Sequence, residues 1–198
     1  MCRIIGDVHG RFPEYRTLIE GVQESIQLGD FGLGFGQSPE EISLTHQFIR
    51  GNHDNPDLCR KDPHWIRDGT VRDSKSGMVM FIGGAHSIDK DSRVEGKSWW
   101  RDEELNTAEF YRIQTTYLNT KPGIMFTHDC PGEVAKQLFG TSQFGDYNSI
   151  TSQAFNSYFE MFKPKLWIFG HHHIFKNEVI LGTRFICLPE LAYMDVNL

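Results

Sequence analysis

Apolar residues fall along this chain in short runs that stop at glycine, separated by stretches with helical spacing. Cys2–Gly6 is such a run and predicts a buried strand. From Pro13 to about Val22 the apolar positions are Tyr15, Leu18, Ile19 and Val22, the 3.6-residue pattern of a helix with proline near its start. Ser25–Leu28 and Gln47–Arg50 predict further strands, stopped by Gly29-Asp30 and Gly51-Asn52. Residues 71–84 predict a hairpin turning at Ser74-Lys75-Ser76-Gly77. Residues 85–104 predict a long functional loop. Asn106 then opens a helix with Glu109 as capping-box partner and an apolar face of Phe110, Ile113, Tyr117 and Leu118. Ile124–Thr127 predicts a strand, Glu133–Phe139 a short helix, Gly140–Asn148 a turn-rich segment, and Ile150–Phe162 an aromatic helix ended by Pro164. Leu166–Phe169, Glu178–Leu181 and Arg184–Leu188 predict the last strands. Strands outnumber helices, and helices are spread along the chain. That pattern argues for two packed sheets flanked by helices, in one domain spanning 1–198.

Composition narrows the function classes. Lys plus Arg is 20 and Asp plus Glu is 26, a net charge of −6. An acidic chain is not expected to coat nucleic acid in general, which needs a cationic surface. It remains compatible with a phosphate held through metal ions. The absence of a long apolar run predicts no membrane span. Four scattered cysteines and an N-terminus without a signal-like apolar core predict a cytoplasmic protein without disulfides.

The candidate chemistry lies where the strands end. The blocks are Gly6-Asp7-Val8-His9, Gly29-Asp30, Gly51-Asn52-His53-Asp54, Thr127-His128-Asp129 and Gly170-His171-His172-His173. Any one of them also reads as an Asx turn or an exposed loop. The ordered set, each after an apolar strand, points to loops gathered at one crevice. Mixed carboxylate and imidazole donors suit Mn, Fe, Zn or Co rather than Ca.

These blocks resemble the calcineurin-like metallophosphoesterase superfamily, in its compact prokaryotic and phage-type form. The resemblance implies an α+β fold, a four-layer αββα sandwich of two sheets flanked by helices. It implies that Asp7, His9 and His173 hold one metal, that Asn52, His128 and His171 hold a second, and that Asp30 bridges them. The cofactors would be two divalent or trivalent transition-metal ions, Mn foremost, with Fe, Zn, Co or Ni as alternatives. Water activated between them would attack phosphorus in line, and His53 would supply the leaving group with a proton. Substrates would be small phosphomonoesters or phosphodiesters, nucleotides among them. The resemblance leaves the oligomeric state open.

Two other functions stay in view. One is a scaffold of this fold without catalysis; the presence of His53 and of every ligand residue argues against it. The other is a Ser/Thr protein phosphatase. Those enzymes extend the second block with an Asp that orients the catalytic His and an Arg that binds phosphate. Here Leu33 and Gly34 stand at those places.

The stretch His86 to Trp100 is the distinctive insertion. Read one way, His86, Asp89, Arg93 and Trp99 bind substrate, Arg93 gripping phosphate and Trp99 stacking on a base. Read the other way, Trp99 and Trp100 pack the loop and Asp89 pairs with Arg93 to fix it. His46 and His64 are expected at the surface, His172 beside the site or in solvent. Cys130 is expected to be a packed thiol, and Phe155, Tyr158, Phe159 and Phe162 to be core.

Overall fold

The β-rich runs form ten strands among the described residues, which in this computed structural model are 1–34, 41–140 and 149–198. Two sheets result. One has β1 (Cys2–Ile5), β2 (Ser25–Gln27), β3 (His46–Phe48) and β10 (Tyr193–Val196), in the order β10-β1-β2-β3. The other has β4 (Thr70–Arg72), β5 (Val79–Ile82), β6 (Ile124–Thr127), β7 (Leu166–Phe169), β8 (Lys176–Ile180) and β9 (Thr183–Cys187), in the order β4-β5-β6-β7-β9-β8. β1, β2 and β3 run parallel, as do β5, β6, β7 and β9. β10, β4 and β8 close the sheets as antiparallel neighbours.

The helices are α1 (Phe12–Ile19), α2 (Pro56–Cys59), α3 (Thr107–Thr120), α4 (Gly132–Phe139) and α5 (Ile150–Met161). Three apolar layers order the stack. Ile4, Ile26, Val79, Phe81, Phe126 and Ile168 pack between the sheets. Phe12, Tyr15 and Ile19 of α1 bury against Ile5, Phe31 and Phe48. Ile113, Tyr117, Phe155 and Tyr158 of α3 and α5 bury against Met80, Met125, Trp167 and Phe185. The result is the expected αββα sandwich. A strand covered on both faces is largely apolar, which is why β5, β6 and β7 read as apolar runs.

The capping box forms as expected: the Glu109 amide donates to Asn106 Oδ1 at 3.0 Å, and the Asn106 amide donates to Glu109 Oε2 at 3.0 Å. The hairpin turns at Ser74–Gly77, where the Gly77 amide donates to the Ser74 carbonyl at 3.0 Å. The aromatic run of α5 is core, as expected.

Several expectations need correction. Leu118 is exposed; it sits about 100° around the helix from Tyr117, off the buried stripe. His46 is buried on β3, 3.0 Å from the Ser25 hydroxyl of its neighbour β2, and His64 is partly buried. α2 and β10 were not expected from the pattern. α2 is a single turn capped by Asn55, whose side chain accepts from the Asp57 and Leu58 amides. The turn-rich segment expected at Gly140–Asn148 lies outside the described residues from 141 onward. No helix among the described residues is long and apolar enough to cross a membrane.

Candidate metal centre

Parallel strands deliver their C-terminal ends to one edge, and the structure brings all five blocks together there. Two of the three donor groups among the described residues are Asp7, His9, Asp30 and His173, and Asp30, His128 and His171, each with ligand atoms within 4.8 Å of one another; the third is the buried set Asp129, Cys130 and His172. Asp30 belongs to the first two. Asn52 joins the second group, its Oδ1 lying 3.0 Å from His128 Nε2. All seven expected ligand residues therefore converge.

The local backbone explains the recurring glycine. A Cβ on Gly51 would collide with the Asp30 carboxylate, and one on Gly170 with the Asp7 carboxylate. These two blocks are each nested against a carboxylate of another block, so only glycine fits there. Four of the ligand residues, His9, Asp30, His171 and His173, have left-handed backbone, with φ of 49°, 54°, 65° and 54°. Such residues cost on the order of 1 kcal/mol or more each and collect at functional sites. The buried Asp54 carboxylate locks two blocks together. It accepts from the Gly32 amide at 2.7 Å, the Leu33 amide at 3.0 Å, the Phe31 amide at 3.1 Å and the Gly51 amide at 2.8 Å.

The donor set suits a cation. Asp7 and Asp30 are buried carboxylates, and the ion pairs shown for them are all with imidazoles. His173 Nε2 lies 2.9 Å from Asp7 Oδ2 and 3.1 Å from His9 Nε2, and His9 Nε2 is 3.8 Å from both Asp7 Oδ2 and Asp30 Oδ2. Ligand atoms around one transition-metal ion stand about 3 Å apart, given bonds of about 2.0–2.2 Å, so these spacings fit. His128 Nδ1–H donates to the Leu28 carbonyl at 2.7 Å, which leaves Nε2 facing the cluster.

The titration behaviour of the protein alone agrees. Burial alone would raise the Asp30 carboxyl; His128, His53 and His9 outweigh it and hold Asp30 well below the usual carboxylate range. Burial would lower His128, but the Asp30 charge and hydrogen bond raise it to about 10. The cluster thus attracts positive charge. His171 is pushed down to about 3, by burial first, so its imidazole is neutral as a ligand requires.

A family profile described as calcineurin-like phosphoesterase matches residues 3–175. The chain belongs to this family. No curated protein matches the sequence. Among solved structures, a candidate 5′-nucleotidase from Staphylococcus aureus, in complex with α-ketoglutarate, is similar with a TM-score of 0.54 at 14% identity. That match covers 96% of this chain and 48% of the other, so the chain spans about half the length of that neighbour. GAP50, described as the anchor in the inner membrane complex of Plasmodium, matches with a TM-score of 0.50 at 8% identity over 95% of this chain and 71% of that one. A phosphopantetheinyl hydrolase from Mycobacterium tuberculosis matches with a TM-score of 0.49 at 15% identity, over 96% of this chain and 89% of that one. At these identities the likeness is one of fold.

A cavity of about 270 Å³ opens beside the cluster, with Asp30, Asn52, His53, His86, Asp89 and Arg93 in its walls. Three of the four insertion residues reach it. Trp99 does not line it, and Trp100 is buried. Asp89 does pair with Arg93, with Nε–Oδ1 at 2.7 Å and Nη2–Oδ2 at 2.8 Å. That pair presents the guanidinium to His53, 2.6 Å from Nδ1 and 3.1 Å from Nε2. The expected Asp89–Arg93 pair therefore forms, and it forms in the cavity wall. Burial, then the Arg93 charge, lower His53, with Asp30 opposing them. His172 is buried beside the site, 3.1 Å from Asp129 Oδ1 and stacked on Phe139. Cys130 is a buried thiol pushed far up by burial, unsuited to attack.

Asp54 and Glu190 are among the residues not singled out from sequence. Asp54 carried a local signal, as the fourth member of its block. Glu190, just after β9, reaches 3.3 Å from His173 Nδ1 and had no motif to announce it.

Proposed function

We propose that the chain is a two-metal phosphoesterase acting on small phosphoesters, with phosphodiesters or nucleotides ahead of phosphoproteins. The observation that carries this reading is the pair of donor groups sharing the buried Asp30. Asp7, His9 and His173 would hold one ion and Asn52, His128 and His171 the other, Mn²⁺ being the first choice. When bound, the ions supply Lewis-acid charge to the phosphoryl group and a lowered pKa to water.

The chain's own residues do the rest. Asp30 and Asp54 hold two ligand turns in fixed contact, so the donors need no rearrangement. Arg93, braced by Asp89, offers its guanidinium to a phosphoryl oxygen, a task suited to a planar fork. It takes over from the arginine missing at Gly34. His53 faces the same space and hands a proton to the departing oxygen; an anionic substrate beside it raises its affinity for that proton. His86 lines the far wall. GAP50 is described as an anchor, so the fold alone does not decide for catalysis. His53 and the full donor set favour the enzyme.

The test is a Mn²⁺ titration with parallel assays on p-nitrophenyl phosphate, bis-p-nitrophenyl phosphate and a nucleotide panel. Two ions per chain and EDTA-sensitive hydrolysis are expected. One ion or none, with no hydrolysis of any ester, defeats the reading. His53→Gln should keep both ions and lower kcat by about 10²–10⁴-fold. Its loss should be smaller for p-nitrophenolate, a leaving group that hardly needs a proton.

A further inference from the structure

We propose that Glu103, acting through Ser87, dictates which end of the Asn52 side-chain amide faces the metal donors. The inference rests on the two-metal reading and adds a positioning relay to it. An asparagine amide has two ends of nearly equal shape, and only the oxygen can ligate a cation. A half-turn about the terminal bond would aim N–H groups at the ion instead.

The structure contains the device that prevents this. Asn52 Nδ2 donates to Ser87 Oγ at 3.0 Å. A serine hydroxyl has one hydrogen, and that of Ser87 is committed elsewhere: Oγ donates to Glu103 Oε2 at 2.6 Å. The second carboxylate oxygen, Oε1, accepts the Ser87 amide at 2.9 Å, which fixes the carboxylate's position. With its hydrogen turned to Glu103, Ser87 shows Asn52 only lone pairs. Only Nδ2 can answer them, and Oδ1 is left facing His128. Asn52, Ser87 and Glu103 are all buried, so water does not substitute for any link. Glu103 is itself anchored: its carbonyl accepts from Arg50 Nη1 at 2.6 Å, and Arg50 bonds Asp68 at 2.8 Å.

The relay has a polarity, and polarity can be reversed. Glu103→Gln keeps an oxygen for the Ser87 amide but places an N–H₂ against the Ser87 hydroxyl. The hydroxyl then turns its hydrogen toward Asn52, and the amide flips. In Asn52→Asp both ends are oxygens, so a hydrogen arriving from Ser87 is welcome.

The experiment is a Mn²⁺ calorimetric titration of wild type, Glu103→Gln, Ser87→Ala, Asn52→Asp and Asn52→Asp/Glu103→Gln. Thermal melts in EDTA serve as the control. Glu103→Gln and Ser87→Ala should each weaken one of the two Mn²⁺ positions by about 10–100-fold, the usual worth of an outer partner. Glu103→Gln should not weaken Mn²⁺ binding when Asp stands at 52. A wild-type chain that binds no Mn²⁺ overturns the two-metal reading and the relay with it. A wild-type chain with two Mn²⁺ positions, whose affinities Glu103→Gln leaves unchanged or weakens equally with Asn or Asp at 52, overturns the relay alone.

Discussion

On one side of Asp30 the two imidazole donors are open to water, while Asp7 between them is buried. The side chains of His173 and His9 are 42% and 25% exposed, and Glu190 beside them is 40% exposed. On the other side His128 is fully buried, its far nitrogen held by a carbonyl, and Asn52 is gripped by Ser87. Both halves use the same kinds of atoms around one shared carboxylate. They differ in what stands behind those atoms. Solvent behind the first half lets side chains rearrange; the second is fixed by packing and satisfied hydrogen bonds. The first should therefore exchange its ion readily, and the second should hold its ion through the fold.

The largest effect expected is from removing what the halves share. Asp30→Asn takes the anionic donor from both groups, so both Mn²⁺ affinities should fall by more than about 100-fold, beyond what an outer partner is worth. A titration that still shows one tight ion would break the picture of a shared ligand.

The next contrast sets His128→Ala against His173→Ala. His128 is buried, so its loss should empty one position and also cost about 2–4 kcal/mol of stability from the cavity and the orphaned Leu28 carbonyl. His173→Ala should leave the Tm in EDTA nearly unchanged. Added imidazole should restore Mn²⁺ binding to the exposed half only. Equal rescue of both variants would show that the halves do not differ in access.

The smallest effect separates loss of metal from loss of fold in acid. His46 lies far from the cluster, and its pKa is lowered, by burial first and then by His64. A histidine held below its unfolded value contributes stability that is present above about pH 6.5 and is lost as pH falls toward its folded value. The EDTA-treated protein should thus melt lower at pH 5 than at pH 7, and His46→Gln should reduce that difference. Metal release on acidification should be unaffected by that change.

What could be read in the sequence follows the same divide between local and distant causes. The Gly-ligand turns were legible because each packs its signal into two to four residues after an apolar strand. The αββα layering was legible because the central strands β5, β6 and β7, covered on both faces, are apolar runs between amphipathic helices. β10 was not, since Tyr193, Met194, Asp195 and Val196 alternate between exposed and half-buried at a sheet edge. His46 misled because a polar residue on a three-residue strand gives no sign of the Ser25 hydroxyl across from it. Glu190 and the Ser87–Glu103 link were invisible because their partners lie far away in sequence. The Asp89–Arg93 pair was one of two readings of the insertion. That the pair faces His53 depends on how the insertion folds back over the third block.

The joining of Asp7 to His173, 166 residues apart, also sets an order of events. Contacts between such distant segments form late in folding. While the chain is being made, Asp7, His9, Asp30 and His53 emerge long before His128, His171 and His173, the other imidazoles of the cluster. β10 then pairs with β1, matching Tyr193 to Ile5, and seals the edge from which Asp7 projects. A cation held by the full donor set would thus be gripped completely only once the turn after β7 is in place.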